Sequence, residues 1–447
     1  MTDTVSPPTL PNDRVPSASQ ANPTVQPAPG AASHAALDRV LTAVARQSTY
    51  RADCVGLVPT ENLLSPAARS VMASDLGHRY LFQNPQWRYV GGKHLSEVEV
   101  AAQELACSVF GARHANVRPL SGENCTNIVI HSVLERGGTF YHLAMEDGGH
   151  FAARSVAARL TDDLRLIPYD AANATIDVAA CERAFAAAPP DVIYLDASMI
   201  LFAHPVRELR RLAGPDAIIV YDASQVLGLL AGGLFQDPLR EGADVLSGST
   251  HKSLPGPQKG IILTNRDDIV ARVEATIFPG HVSNFHLHHV AALAVTLAEA
   301  QEHGAAYARQ TVANARALGA ELRRLGLAVQ GGERLTDSHQ VWLDVSPRAT
   351  PDEAVEALHE VNLIANVNLI PSLRRKGLRL GTPEATRLGM REPEMVQLAG
   401  LMHGALTGEA PRAQVRERVT ALARRFRTVR YCRPEAVTAM QLAADAA

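Results

Sequence analysis

The segment Ser249-Thr250-His251-Lys252-Ser253-Leu254-Pro255-Gly256-Pro257-Gln258-Lys259-Gly260 has the clearest capacity for covalent chemistry in this chain. It follows an apolar run at 244–247 and precedes another at 261–263, so Lys252 falls where a strand gives way to a turn. An amine fixed there by small residues, Pro and Gly stands over the end of a sheet. Desolvation and neighbouring charge lower the pKa of such an amine, and it can form a Schiff base with an aldehyde cofactor. An isolated Lys in a Pro-rich turn is ordinarily a surface residue. Its scarcity here argues otherwise: of 43 Lys and Arg residues only Lys93, Lys252, Lys259 and Lys376 are Lys. Where Arg serves the surface, a retained Lys becomes a candidate for amine chemistry.

Upstream, Ile218-Ile219-Val220-Tyr221-Asp222 reads as a buried strand ending in a carboxylate. An acid at the C-terminal end of a parallel strand faces the crevice where α/β sheets bind ligands. The Lys–Asp pair is what pyridoxal phosphate requires. The Lys holds its aldehyde, and the Asp keeps its pyridine nitrogen protonated so that the ring accepts carbanion charge. Alone, Asp222 reads equally well as a helix N-cap.

Two further segments complete a site. Ser121-Gly122-Glu123-Asn124 lies between a strand and a helix, where a hydroxyl and backbone N–H groups can cradle a phosphate; a plain turn with an N-cap is the alternative. Asp147-Gly148-Gly149-His150 presents His150 after a tight turn, either to stack on the pyridine face or as a structural ring.

Positioning these groups calls for strands alternating with helices. Strand-like runs at 114–119, 139–143, 164–168, 192–195, 217–221, 245–247 and 260–263 are separated by helical stretches such as 96–110, 125–135, 178–185 and 206–212. That alternation predicts crossover connections and a largely parallel sheet covered on both faces. Residues 1–34 lack apolar periodicity and are expected to be a disordered tail. Leu37, Val40, Leu41 and Val44 predict a helix over 36–47, within an N-terminal segment spanning 35–60. A large cofactor-binding domain is expected over 61–310. Beyond about residue 285 long Ala/Leu/Arg helices are expected, then a strand at 339–345, a helix at 351–360 and a C-terminal helix, with a smaller C-terminal α/β domain over 311–447.

The chain's 447 residues, 46% hydrophobic and 20% charged, suffice for such a core, and a net charge of −3 offers no basic field for nucleic acid or anionic lipid. Five scattered cysteines without a C-x-x-C pair argue against a zinc ribbon or disulfide scaffold. They fit a reducing cytoplasm, and no apolar run reaches membrane-span length.

At this point the chain resembles the serine hydroxymethyltransferase family of fold-type I pyridoxal-phosphate enzymes (aspartate aminotransferase-like), over nearly everything past residue 50. The resemblance is carried by Thr60-Glu61-Asn62, Arg88-Tyr89-Val90-Gly91-Gly92, Ser121-Gly122, Gly148-Gly149-His150, Asp222, Thr250-His251-Lys252, Phe278-Pro279-Gly280 and Arg379-Leu380-Gly381-Thr382-Pro383. It implies Lys252 as the Schiff-base residue, Asp222 as the pyridinium partner and His150 as the stacking ring. Ser121, Gly122 and Glu123 are implied in the phosphate loop, and Thr250 and His251 beside the Lys in the cofactor site. Arg379 is implied to grip the amino-acid carboxylate in a bidentate fork, with Thr60 assisting. Tyr80 is implied to reach a neighbouring subunit's site, hence at least a homodimer with shared active sites.

The departures from the family pattern narrow the chemistry. Tyr80-Leu81-Phe82 puts a phenyl ring where the pattern has the Glu of folate-dependent one-carbon transfer. Val90 replaces a Tyr, Gln225 replaces a His while still offering a donor to the cofactor's phenolic oxygen, and Pro255 and Gln258 replace Arg residues. The family's Gly-Gly-x-x-x-His becomes His281-Val282-Ser283-Asn284-Phe285-His286. Residues 255–260, 147–152, Ser283-Asn284 and Ser338-His339-Gln340-Val341 are similar instead to the threonine transaldolase branch, whose members act in specialised metabolism, including antibiotic biosynthesis. That likeness implies retro-aldol cleavage of L-threonine to acetaldehyde and addition of the glycyl carbanion to a second aldehyde. The acceptor is left open, with Phe82, Trp87, Val90 and Phe285 as apolar pocket candidates. The alternatives are a tetrahydrofolate-dependent serine or α-methylserine hydroxymethyltransferase and a non-catalytic family member. Retention of Lys252, Asp222, His150 and Arg379 opposes the last.

Overall fold

The computed structural model describes residues 31–81, 92 and 94–433. The expected tail up to residue 30, and Phe82, Trp87 and Val90, lie outside the described residues. The chain divides into two units, Met1–Ala52 and Asp53–Ala447. In the first, one helix runs Ala31–Ala52, longer at both ends than its apolar spacing predicts. Alanines favour helix at the start. Near the end, the hydroxyls of Ser48 and Thr49 donate back to the carbonyls of Val44 and Ala45 at 2.9 and 3.0 Å. Leu37, Val40, Leu41 and Val44 remain 53–61% exposed.

The second unit is built on a seven-stranded sheet: β1 (His114–Asn116), β2 (Phe140–His142), β3 (Leu164–Leu166), β4 (Val192–Leu195), β5 (Ile218–Asp222), β6 (Val245–Ser249) and β7 (Gly260–Thr264). Their spatial order is β1-β7-β6-β5-β4-β2-β3. Neighbours from β6 through β3 are parallel, and β7 runs antiparallel to both β6 and β1. All four residues of β4 are buried, as a strand covered on both faces requires. Helices such as Gly122–Val133, Val178–Ala187 and Val206–Ala213 make the crossovers. The observed fold class is the expected α/β one with a mixed, mostly parallel sheet.

A four-stranded antiparallel sheet follows, from β8 (Ala328–Val329), β9 (Gln340–Asp344), β10 (Asn366–Ile370) and β11 (Arg375–Gly381), in the order β8-β9-β11-β10. One 38-residue helix, Leu287–Arg324, stands where the composition predicts several. It contains no Pro, and burial holds it together across Gly304 and Gly319. Leu287, Leu293 and Leu297 join the core of the large sheet, while Ala315, Leu318 and Leu322 join that of the small one. No helix among the described residues is long and apolar enough to cross a membrane.

Candidate active site

The C-terminal ends of β4, β5 and β6 open into one cavity of about 210 Å³, the crevice position expected of an open parallel sheet. Ser249, His251 and Lys252 line it from β6, Asp222, Ser224 and Gln225 from β5, and Asp196 and Ser198 from β4. Ser121, Gly122, Glu123 and Thr126 line it from the start of the helix Gly122–Val133, and His150 and Phe151 from the start of Phe151–Ala157.

That helix start offers hydrogen-bond donors suited to an anion. Ser121 caps it, its Oγ accepting from the N–H of Asn124 at 3.1 Å, while a helix leaves its other first-turn N–H groups unbonded internally. Ser224 Oγ accepts from the N–H of Ser249 at 2.9 Å, and the buried Ser249 Oγ has no partner. A Cβ on Gly122 would meet Ser249 Cβ at 2.9 Å and Ser224 Oγ at 3.3 Å. Gly122→Ala is therefore expected to push these groups apart at an overpacking cost of about 1–3 kcal/mol. Cofactor affinity should weaken roughly tenfold or more in a titration of the apoprotein; unchanged affinity would remove Gly122 from the cradle.

His150 is delivered by a turn that Gly148 permits. At φ 90° a side chain is strained, and a Cβ would meet Met199 Cβ at 2.8 Å. The His150 N–H donates to Asp196 Oδ2 at 3.2 Å, and its Nδ1 accepts from the N–H of Ala152 at 3.2 Å. Burial lowers its pKa, so the ring is neutral with its proton on Nε2, and it stacks on Phe151 at a centroid distance of 4.3 Å.

Burial likewise lowers the pKa of Lys252, with the charge of Arg379 adding to the effect and that of Asp222 opposing it. His251, pushed down to about 4 by burial and then by Lys252, adds no charge near neutral pH. Arg379, on β11, is buried beside the cavity wall, its Nη1 donating to the carbonyl of Ser198 at 3.2 Å. Asn366, its amide turned to satisfy both neighbours, accepts from Nη2 at 2.9 Å. Nε has no partner, and burial lowers the guanidinium's pKa to about 10.

The structure thus brings Ser121, Gly122, Glu123, His150, Asp222, Gln225, His251 and Lys252 to one cavity. Thr250 is elsewhere: its hydroxyl donates to the carbonyl of Pro257 at 2.7 Å, inside the turn that carries the Lys. Thr60 lies half-buried in a turn, and Tyr80 is 59% exposed. Lys259 is structural. Its buried amine donates to the carbonyls of Phe285, Arg118 and Pro119 at 2.8, 3.3 and 3.3 Å. Asp196 and Ser198 belong to the cavity without having been read from the sequence. The strand-end rule that selects Asp222 applies equally to Asp196 after β4. Gln340 ties the two sheets together here, its Nε2 reaching Ser198 O at 3.0 Å and Gln225 Oε1 at 3.2 Å.

A sequence model of serine hydroxymethyltransferase matches residues 35–402. The chain belongs to the serine hydroxymethyltransferase family. Among curated relatives it is 42% identical to the serine hydroxymethyltransferase of Methanopyrus kandleri, over 88% of this chain and 94% of that one. It is 41% identical to that of Methanocella arvoryzae, over 84% and 91%. Among solved structures it is similar to L-threonine transaldolase from Pseudomonas fluorescens in the internal aldimine state, with a TM-score of 0.86 and 27% identity over 92% of this chain and 98% of that one.

Family membership makes this a fold-type I, pyridoxal-phosphate-dependent enzyme. The cavity suits that cofactor: a desolvated amine for its aldehyde, a carboxylate for its ring nitrogen, and an anion cradle with an unpartnered Ser249 hydroxyl for its phosphate.

Proposed function

We propose that this enzyme is an aldol-type transferase of β-hydroxy-α-amino acids, taking L-threonine as donor and a second aldehyde as acceptor, without folate. The observation that carries this reading is Phe82, two residues after Tyr80, at the position of the folate-linked acid in the family pattern. A phenyl ring can neither give nor take a proton. The likeness to the Pseudomonas fluorescens L-threonine transaldolase supports the same reading.

Pyridoxal phosphate, when bound, supplies an electron sink for a carbanion at the amino acid's α-carbon. Lys252 offers a desolvated amine to hold the aldehyde. Asp222 would keep a proton on the ring nitrogen, His150 would orient the ring by stacking, and Gln225 would offer a side-chain amide N–H to the phenolic oxygen. Ser121, Gly122 and Glu123 would hold the phosphate through hydroxyl and backbone N–H groups, with the Ser249 hydroxyl beside them. Arg379, tied to the Ser198 carbonyl through Nη1 and with its Nε–H unpartnered, would orient the amino-acid carboxylate, with Thr60 assisting. Arg379→Ala is expected to raise the KM for L-threonine by roughly 10²-fold while cofactor capture persists; a KM that stays put would contradict the role.

Tyr80 is exposed within one chain, as is the apolar stripe of the helix Ala31–Ala52. Both support a homodimer with shared active sites. Cytoplasmic localisation and a place in specialised metabolism belong to the same proposal.

The test supplies purified enzyme with L-threonine and an aromatic or nucleoside aldehyde, and no folate. Acetaldehyde release with formation of a new β-hydroxy amino acid is the expected result. The names of the relatives at 38–42% identity favour a second reading, tetrahydrofolate-dependent hydroxymethyl transfer. Turnover of serine strictly requiring tetrahydrofolate would establish that reading instead.

A further inference from the structure

Asp196 follows β4 as Asp222 ends β5, and the two strands are adjacent and parallel, with Leu195 paired to Tyr221. The next pair in that register is Asp196 and Asp222. Residues paired across parallel strands point to the same face, and neighbouring strands run about 4.8 Å apart. Both residues line the one cavity, so two acids stand on adjacent strands at its wall where the cofactor reading needs one.

Their bonding differs. Asp222 Oδ1 accepts from the N–H of Ser224 at 2.8 Å. Asp196, 4% exposed, is anchored through Oδ2 by the N–H of His150 at 3.2 Å, while its buried Oδ1 meets no partner. The other titratable groups on the cavity wall are Glu123, His150, His251 and Lys252. No cation touches Asp196 among the described residues.

We propose that Asp196 is a second, neutral acid of the cofactor pocket, its carboxyl anchored to the His150 backbone through one oxygen and donating its O–H from the other to an oxygen of bound pyridoxal phosphate. Two adjacent carboxylates resist ionising together. Burial and then the charge of Asp222 accordingly raise the pKa of Asp196 well above the carboxylate range, outweighing the backbone N–H groups of Asp196, His150 and Leu143, which act the other way. A buried donor without an acceptor is costly, and a bound oxygen satisfies it. The pair then holds one negative charge, available to the ring nitrogen.

The inference rests on the cofactor occupying this cavity, and the experiment separates the two. Apoprotein is titrated with pyridoxal phosphate and affinity read from fluorescence quenching, for wild type, Asp196→Asn and Asp196→Ala, with thermal melts of each apoprotein. Asn keeps shape, neutrality and an N–H donor, so its affinity is expected within about threefold of wild type. Ala removes the donor, and its affinity is expected to fall tenfold or more. An Asn variant as weak as the Ala variant would mean that the charged form acts, overturning the neutral acid. An Ala variant as tight as wild type would overturn the contact itself. Should the Ala protein fail to melt cooperatively, the Asn variant alone decides, since loss of affinity there contradicts the proposal. Failure of wild type to bind pyridoxal phosphate would instead strike the cavity assignment.

Discussion

Lys252→Ala enzyme given pyridoxal phosphate and L-threonine is expected to turn over at no more than roughly a thousandth of the wild-type rate. The size of the effect follows from the absence of a substitute among the described residues. Among the described residues Lys252 is the one Lys on the cavity wall. The amine of Lys259 is buried on three backbone carbonyls, and Lys376 lies on the surface 3.6 Å from Asp352. A bound cofactor would still find its phosphate cradle, so the variant should bind pyridoxal phosphate reversibly and lose it on dialysis. Rates are measured by acetaldehyde release; a variant within tenfold of wild type would remove Lys252 from the chemistry.

Asp222→Asn should be nearly as damaging, with kcat/KM lower by roughly 10²–10³-fold, the usual cost of removing one preorganised electrostatic partner. Asn fills the same space but carries no charge to keep a proton on the ring nitrogen, so attachment survives and electron withdrawal does not. The pH dependence of attachment carries an independent sign. In the wild type the charge of Asp222 favours the protonated form of Lys252, against the burial that disfavours it. Removing that charge lowers the Lys252 pKa further. The rate at which apoprotein captures pyridoxal phosphate should therefore begin to rise at lower pH in the variant. A shift to higher pH, or none, would mean that the two side chains do not sense each other.

The large sheet was legible because its strands are apolar and bounded by turn residues, and Lys252, Asp222 and His150 sit at the ends of such runs. β10 and β11 were not, since Asn366-Val367-Asn368 and Arg375-Lys376-Gly377 are too polar to read as strands. Arg379 was consequently reached through family resemblance alone. Asp196 was open to the same strand-end rule as Asp222, but only the pairing of β4 with β5 places the two acids side by side. Thr250 shows the limit of motif reading. Its neighbours face the cavity, but its hydroxyl turns inward to hold the loop, and sequence does not reveal side-chain direction. Lys252 and Lys259, seven positions apart, carry equal weight as rare lysines. Only packing separates the amine on the cavity wall from the one tied to carbonyls.

The most direct measurement is borohydride reduction of the purified enzyme loaded with pyridoxal phosphate, followed by proteolysis and mass spectrometry of the labelled peptides. The pyridoxyl mass is expected on Lys252, in one peptide and at close to one equivalent per chain. Label on Lys259 or Lys376, or no reducible label at all, would contradict it.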